Sequence, residues 1–166
     1  MEKELDTIEK ELQTKVLLYK GLVECLKRER QCLIHIDMEQ LWHIATEKQA
    51  LASDIHKIRK SLLEHLCDMM PELNMDRKEA WLSQVSPYIP TDYLERLKKL
   101  NHSLMGLKTE TKIRSHENIR IIEDSIGILD EIISVITTAG RSEVTYNNEC
   151  FLNDRSRDNM LLHREV

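Results

Sequence analysis

Glycine and proline are scarce in this chain, at 4 and 3 of 166 residues, and aromatic side chains make up only 4 %. So few turn formers exclude a turn-rich all-β fold, and glycine loops that cradle phosphates are hard to build from them. No Gly-x-Ser-x-Gly elbow or dinucleotide fingerprint is present. No continuous apolar run reaches the length that crosses a bilayer, and "MEKELDTIEKEL" is charged from its second residue, which argues against a signal peptide and for a cytoplasmic protein without membrane insertion. A concentrated basic surface is missing too. The net charge of -5 argues against non-specific nucleic-acid binding, and "KRER" from Lys27 to Arg30 reads as a mixed, solvated helix face. The four cysteines, Cys25, Cys32, Cys67 and Cys150, have no framework spacing. Cys25 and Cys32 on one helix lie about 10 Å apart by helical rise, so reduced thiols are expected.

What the chain has instead is charge of both signs, 32 % of all residues, laid over aliphatic stripes. This pattern predicts an all-α fold of long helices packed through coiled-coil-like seams, with a bundle domain over residues 1–140 and a tail over 141–166. The first stripe runs through Leu5, Ile8, Leu12, Tyr19, Leu22, Leu26, Leu33 and Ile36, with Lys15 and Glu29 at its two missed positions, and predicts a helix over 2–36. Gly21 inside it leaves room for a neighbouring helix. Asp37 followed by Gln40 is a capping-box start for a second helix over 38–69, whose stripe is Leu41, Ile44, Leu51, Ile55, Ile58, Leu62, Leu66 and Met69, with Lys48 at the missed position. A true cap at Asp37 gives an antiparallel hairpin; otherwise the two helices form one kinked rod.

Between Pro71 and Pro90 the periodicity fails except in "DRKEAWLSQV", a short helix over 76–85 with Trp81, Leu82 and Val85 facing inward. "SPYIPTDYLERL" reads as an extended connection and a Thr91 cap before a third long helix over 92–139. Its apolar text comes in two blocks, Leu94, Leu97, Leu104 and Leu107, then Ile119, Ile122, Ile126, Leu129, Ile133 and Ile136, with Ile113 alone between them. The seam is expected to lapse or shift register there, and both blocks are expected to be core. Trp42 and Trp81 are expected as core or interhelix fillers. Gly140 is a natural helix stop. A stripe that closes a bundle closes a homo-oligomer equally well.

Metal chemistry is poorly served. No His has a Glu three residues before it and no two His are four apart, so the Cys32/His35 and His65/Cys67/Asp68 groupings read as packing or surface residues. No enzyme and no cofactor are expected.

The stretch "LVECLKRERQCLIHIDMEQLWHIATEKQALASDIHKIRKSLLEHL" resembles the FlgN family of flagellar type III export chaperones, through Leu33, Asp37, Leu41, Ile44, Glu47, Lys48, Leu51, Ile55, Ile58, Leu62 and Leu63. "HENIRIIEDSIGILDEIISVI" is similar to the family's second long helix, with Asn118 in the place of its Asn, and Tyr146 and "MLLHREV" resemble its tail. Where the family commonly has Gly after that Tyr, this chain has Asn147 and Asn148. The resemblance implies a chaperone that binds hook-filament junction (hook-associated) proteins and delivers them to the flagellar export apparatus. It also implies an amphipathic tail that captures the client. Tyr146, Phe151, Leu152, Met160, Leu161 and Leu162 are its candidate client-binding residues. Tail composition alone predicts a labile segment on a stable helical body, since few apolar groups offset its ordering entropy. The rival reading is a structural coiled-coil adaptor or tether with an idle tail.

Overall fold

The computed structural model describes residues 2–69, 82 and 85–139. Helix α1 spans Glu2–His35, α2 spans Met38–Met69 and α3 spans Thr91–Ala139; a 3-10 turn at Ser86–Tyr88 precedes α3. Among the described residues there is no strand. Two compact units divide the chain, residues 1–120 and 121–166, with the boundary inside α3.

The turn between α1 and α2 follows from three residues. Ile36 takes a positive φ of 56°, and the Asp37 amide reaches back to the Cys32 carbonyl at 3.0 Å, the six-residue closure of a Schellman helix end. Asp37 then starts α2. Its Oδ1 accepts from the Gln40 amide at 3.1 Å and its carbonyl accepts from the Leu41 amide at 3.1 Å. The predicted stripe of α1 stops one residue early, because Ile36 is spent on the turn and is 78 % exposed.

Asp37 is therefore a reversal. Across the α1–α2 seam, Arg28 pairs with Glu47, Glu29 with Lys48, and Glu11 with Ser61 and His65, so one number falls as the other rises, as antiparallel packing requires. Across α1–α3 both numbers rise together: Asp6 accepts from Tyr93, Glu9 pairs with Arg96, and Arg30 with Glu117. Helix α3 thus runs parallel to α1 within the first unit, where the hairpin and residues 91–120 form an up-down-up bundle. Gly21 lies against Leu51, but an added Cβ would meet the Leu51 methyl at 3.5 Å, an ordinary contact, so the approach does not demand glycine.

The core gathers where α1 begins, α2 ends and α3 begins. Leu5, Ile8, Leu12 and Val16 meet Leu62 and Leu66 of α2 and Leu97 and Leu104 of α3. Leu82, Val85 and Ile89 of the α2–α3 connection join them. Of the short helix expected over 76–85, only Leu82 and Val85 are described, both helical and buried; Trp81 lies outside the described residues. The connection is not extended throughout, since Pro87 fits the first positions of the 3-10 turn, where its missing N–H costs nothing. Ile89, before Pro90, is extended at φ -105° and ψ 137°. The cap of α3 sits one residue before the expected Thr91, because the Pro90 carbonyl accepts from the Leu94 amide at 3.0 Å.

Two of the missed positions of the stripes, Glu29 and Lys48, form a polar layer with Asn118. Glu29 pairs with Lys48 across the hairpin, and Asn118 Nδ2 donates to Glu29 Oε2 at 2.8 Å and to the Leu26 carbonyl at 2.9 Å. Lys15 is likewise buried, only 7 % exposed. The α3 seam keeps a seven-residue step through Leu97, Leu104, Thr111 and Asn118, so it neither lapses nor shifts but becomes polar. Cys25, Cys32 and Cys67 are unpaired thiols.

Candidate functional site

The second block of α3, expected as core, is solvent-exposed. Ile119 lies outside the seam that Asn118 occupies, and Ile113 faces solvent as well. In the second unit, Ile122, Ile126, Ile128, Leu129, Ile132, Ile133, Val135 and Ile136 are all exposed. The bundle seam of the first unit passes through Thr111 and Asn118 and not through the isoleucines. Trp42 is a second correction. Leu41 and Ile44 take the inward face of the first turn of α2, and Trp42, about 100° around the helix from Leu41, is 73 % exposed. With Ile34, Ile36 and Met38 it leaves a smaller apolar patch at the hairpin turn.

The α3 surface over residues 121–139 is built by periodicity. Ile122, Ile126, Leu129, Ile133 and Ile136 recur at steps of four and three and form one stripe; Ile128, Ile132 and Val135 form a second stripe beside it. Together they occupy about half of the helix circumference at roughly 100° per residue. Polar positions border this arc in order. Glu123 and Asp130, seven residues apart, edge it on the side of Ile126; Asp124 and Glu131, also seven apart, edge it on the side of Ile128 and Val135. All four acids are exposed, and no Lys or Arg occurs between residues 121 and 139. Monomeric proteins rarely leave contiguous apolar surface of this kind uncovered without a binding role.

Titration shifts lie elsewhere. Burial, reinforced by the neighbouring Glu47, pushes the Cys25 thiol up, and hydrogen bonding to Arg28 holds the Glu47 carboxyl below its ordinary value. The hydrogen bond to Asp6 raises the Tyr93 hydroxyl. Each belongs to helix–helix contact, and none lies on the apolar arc. Among the described residues no three His, Cys, Asp or Glu side chains group together as metal ligands. No helix among them is long and apolar enough to cross a membrane.

The candidate residues Tyr146, Phe151, Leu152, Met160, Leu161 and Leu162 lie outside the described residues. Sequence reasoning missed Ile128, Ile132 and Val135, and the seven-residue spacing of the acids was the signal available for the arc's edges.

Eight aliphatic side chains exposed along one helix over residues 122–136 are the kind of surface on which another helix packs. No curated protein and no solved structure matches the chain. The family model described as FlgN protein matches residues 1–149, nine-tenths of the sequence, and the chain belongs to the FlgN family of flagellar chaperones.

Proposed function

We propose that this chain is a cytoplasmic chaperone of flagellar type III export. In this reading it holds hook-associated proteins on the exposed arc of α3, assisted by Tyr146, Phe151, Leu152, Met160, Leu161 and Leu162, and passes them to the export apparatus. The carrying observation is the row of eight exposed aliphatic side chains over residues 122–136 in a member of the FlgN family. A client helix laid along that row is the helix-in-groove mode, in which anchors at steps of three and four set the register. Covering a half-exposed aliphatic side chain is worth about 1 kcal/mol, so the row offers roughly 8 kcal/mol gross. Association costs on the order of 4–15 kcal/mol, so the row by itself supports at most weak, reversible binding and the tail residues have to add to it. A carrier that must release its load needs that balance. The work is binding alone, with no cofactor and no covalent step.

Calorimetric titration with the C-terminal helix of a hook-filament junction protein tests this. The full chain is expected to bind with a negative heat-capacity change, lost in the double variant Ile126→Ser/Ile133→Ser and weakened in Phe151→Ser/Leu161→Ser. Undiminished binding by the first variant would remove the arc from the reading. No binding by the unaltered chain would leave the structural coiled-coil adaptor in its place.

A further inference from the structure

We infer that the exposed arc over residues 122–136 of α3 receives a helical hairpin, two antiparallel helices of one partner with an apolar groove between them, in preference to a single helix. The inference rests on the proposed role of the arc as a docking face and adds the architecture of the occupant. A helix that packs against one neighbour presents an apolar stripe about 100° wide. From Val135 to Ile126 the arc spans about 180° at 100° per residue. A single helix laid along Ile122, Ile126 and Ile133 therefore leaves Ile128 and Val135 in water, and the converse placement leaves the first three there.

The first unit shows what a width of this order is used for. There α3 shares one core with leucines of both helices of the α1–α2 hairpin, and its buried or half-buried Tyr93, Leu94, Leu97, Leu100, Leu104 and Leu107 span about 140°. On the exposed arc, Leu129, Ile132 and Ile136 lie in the middle, towards the line between two covering helices, with Ile126 and Ile133 towards one of them and Ile128 and Val135 towards the other. Ser125 is the polar residue inside the arc, and its hydroxyl donates to the Ile121 carbonyl at 2.7 Å, so covering it strands no donor.

Area points the same way. Over residues 121–139 the helix is about 28 Å long and about 11 Å across, so a 100° stripe covers about 270 Å² and the whole arc about 500 Å². Specific interfaces bury about 600 Å² or more on each partner, which the arc approaches and one stripe does not. Two separate helices would each incur the cost of association for a single stripe, whereas a hairpin incurs it once.

Two synthetic probes test the inference by fluorescence anisotropy with the full chain: a three-heptad helix with one Leu/Ile stripe, and a hairpin of two such helices joined by a glycine loop. The hairpin is expected to bind at least about tenfold more tightly than the single helix. Ile126→Ser/Ile133→Ser and Ile128→Ser/Val135→Ser are each expected to weaken the hairpin about tenfold, since it uses both sides of the arc. Equal affinities for the two probes, or hairpin binding untouched by Ile128→Ser/Val135→Ser, overturn the inference; the proposed function survives either result where the hook-protein helix still binds through Ile126 and Ile133. Equal affinities that part in favour of the hairpin in Phe151→Ser/Leu161→Ser would make the chain's own tail the second helix and overturn it too. A hairpin preference without any binding of the hook-protein helix upholds the two-helix site and removes the proposed client. Sedimentation showing self-association that the Ile126→Ser/Ile133→Ser variant lacks would put other copies of the chain on the arc, against the inference.

Discussion

Asp37 closes α1 and opens α2 at once: its amide donates to the Cys32 carbonyl at 3.0 Å while its carboxylate accepts from the Gln40 amide at 3.1 Å. The double role forces Ile36, between the two helices, to a φ of 56°. A β-branched side chain there is strained by about 1–2 kcal/mol, and the residue is too exposed to recover much of that by burial. Ile36→Gly is therefore expected to stabilise the protein by about 1 kcal/mol after glycine's greater chain entropy is counted. Urea unfolding should show a higher midpoint with an unchanged slope.

The Glu29–Lys48 pair is expected to be worth most when broken on one side. The Glu29 and Lys48 side chains are 12 % and 29 % exposed, so Lys48→Met leaves a largely buried carboxylate with only Asn118 for a partner. That change should cost about 2 kcal/mol, whereas the double change Glu29→Leu/Lys48→Met should cost less than about 1 kcal/mol. A double-mutant cycle by denaturant unfolding measures the coupling; additive costs would mean the two groups do not act together.

Two leucines of α3 separate core from candidate surface. Leu97 is fully buried, and Leu97→Ala should destabilise by about 3 kcal/mol. Leu129 is 58 % exposed, and Leu129→Ala should change stability by less than about 0.5 kcal/mol. Thermal or urea unfolding of the two variants side by side decides it.

Acid should weaken the hairpin through Glu47. The hydrogen bond from Arg28, at 2.7 Å, holds the folded carboxyl below its ordinary value of 4.5. The stability it adds is thus complete above pH 4.5 and is lost as pH falls through the lower, folded value. Both side chains are about half exposed, so a few tenths of a kcal/mol are expected. The stability gap between the unaltered chain and Glu47→Gln should hold steady from neutral pH to about 4.5 and narrow below it.

The hairpin was readable because both of its stripes keep the three–four spacing and because Asp37 and Gln40 announce the cap. Ile36 was misassigned since an unbroken spacing hides a turn that no glycine marks. The α3 seam was misassigned for a related reason. Apolar periodicity follows the isoleucines, whereas the seam follows Thr111 and Asn118, polar residues that a hydrophobic count skips. Trp42 belongs to the same class of error, since size favours burial but position on the helix decided against it. In the candidate site one apolar stripe was visible in the sequence. Its exposure was not, because whether a stripe is covered depends on neighbours that are distant in the chain.

The parallel course of α1 and α3 bears on the order of folding. Contacts in the hairpin span from 19 residues, at Glu29–Lys48, to 54, at Glu11–His65, so pairing can spread from the turn in small steps. Asp6–Tyr93 and Arg30–Glu117 each span 87 residues. Without the hairpin the first α1–α3 contact closes an 87-residue loop at about 4 kcal/mol plus a constant, whereas on a formed hairpin only the link over residues 70–90 has to be closed. Docking of α3 is then a single late step on a preformed hairpin, so φ-values should be high at Ile44 and low at Leu97. A ribosome-bound chain can complete the α1–α2 hairpin while α3 is still being made.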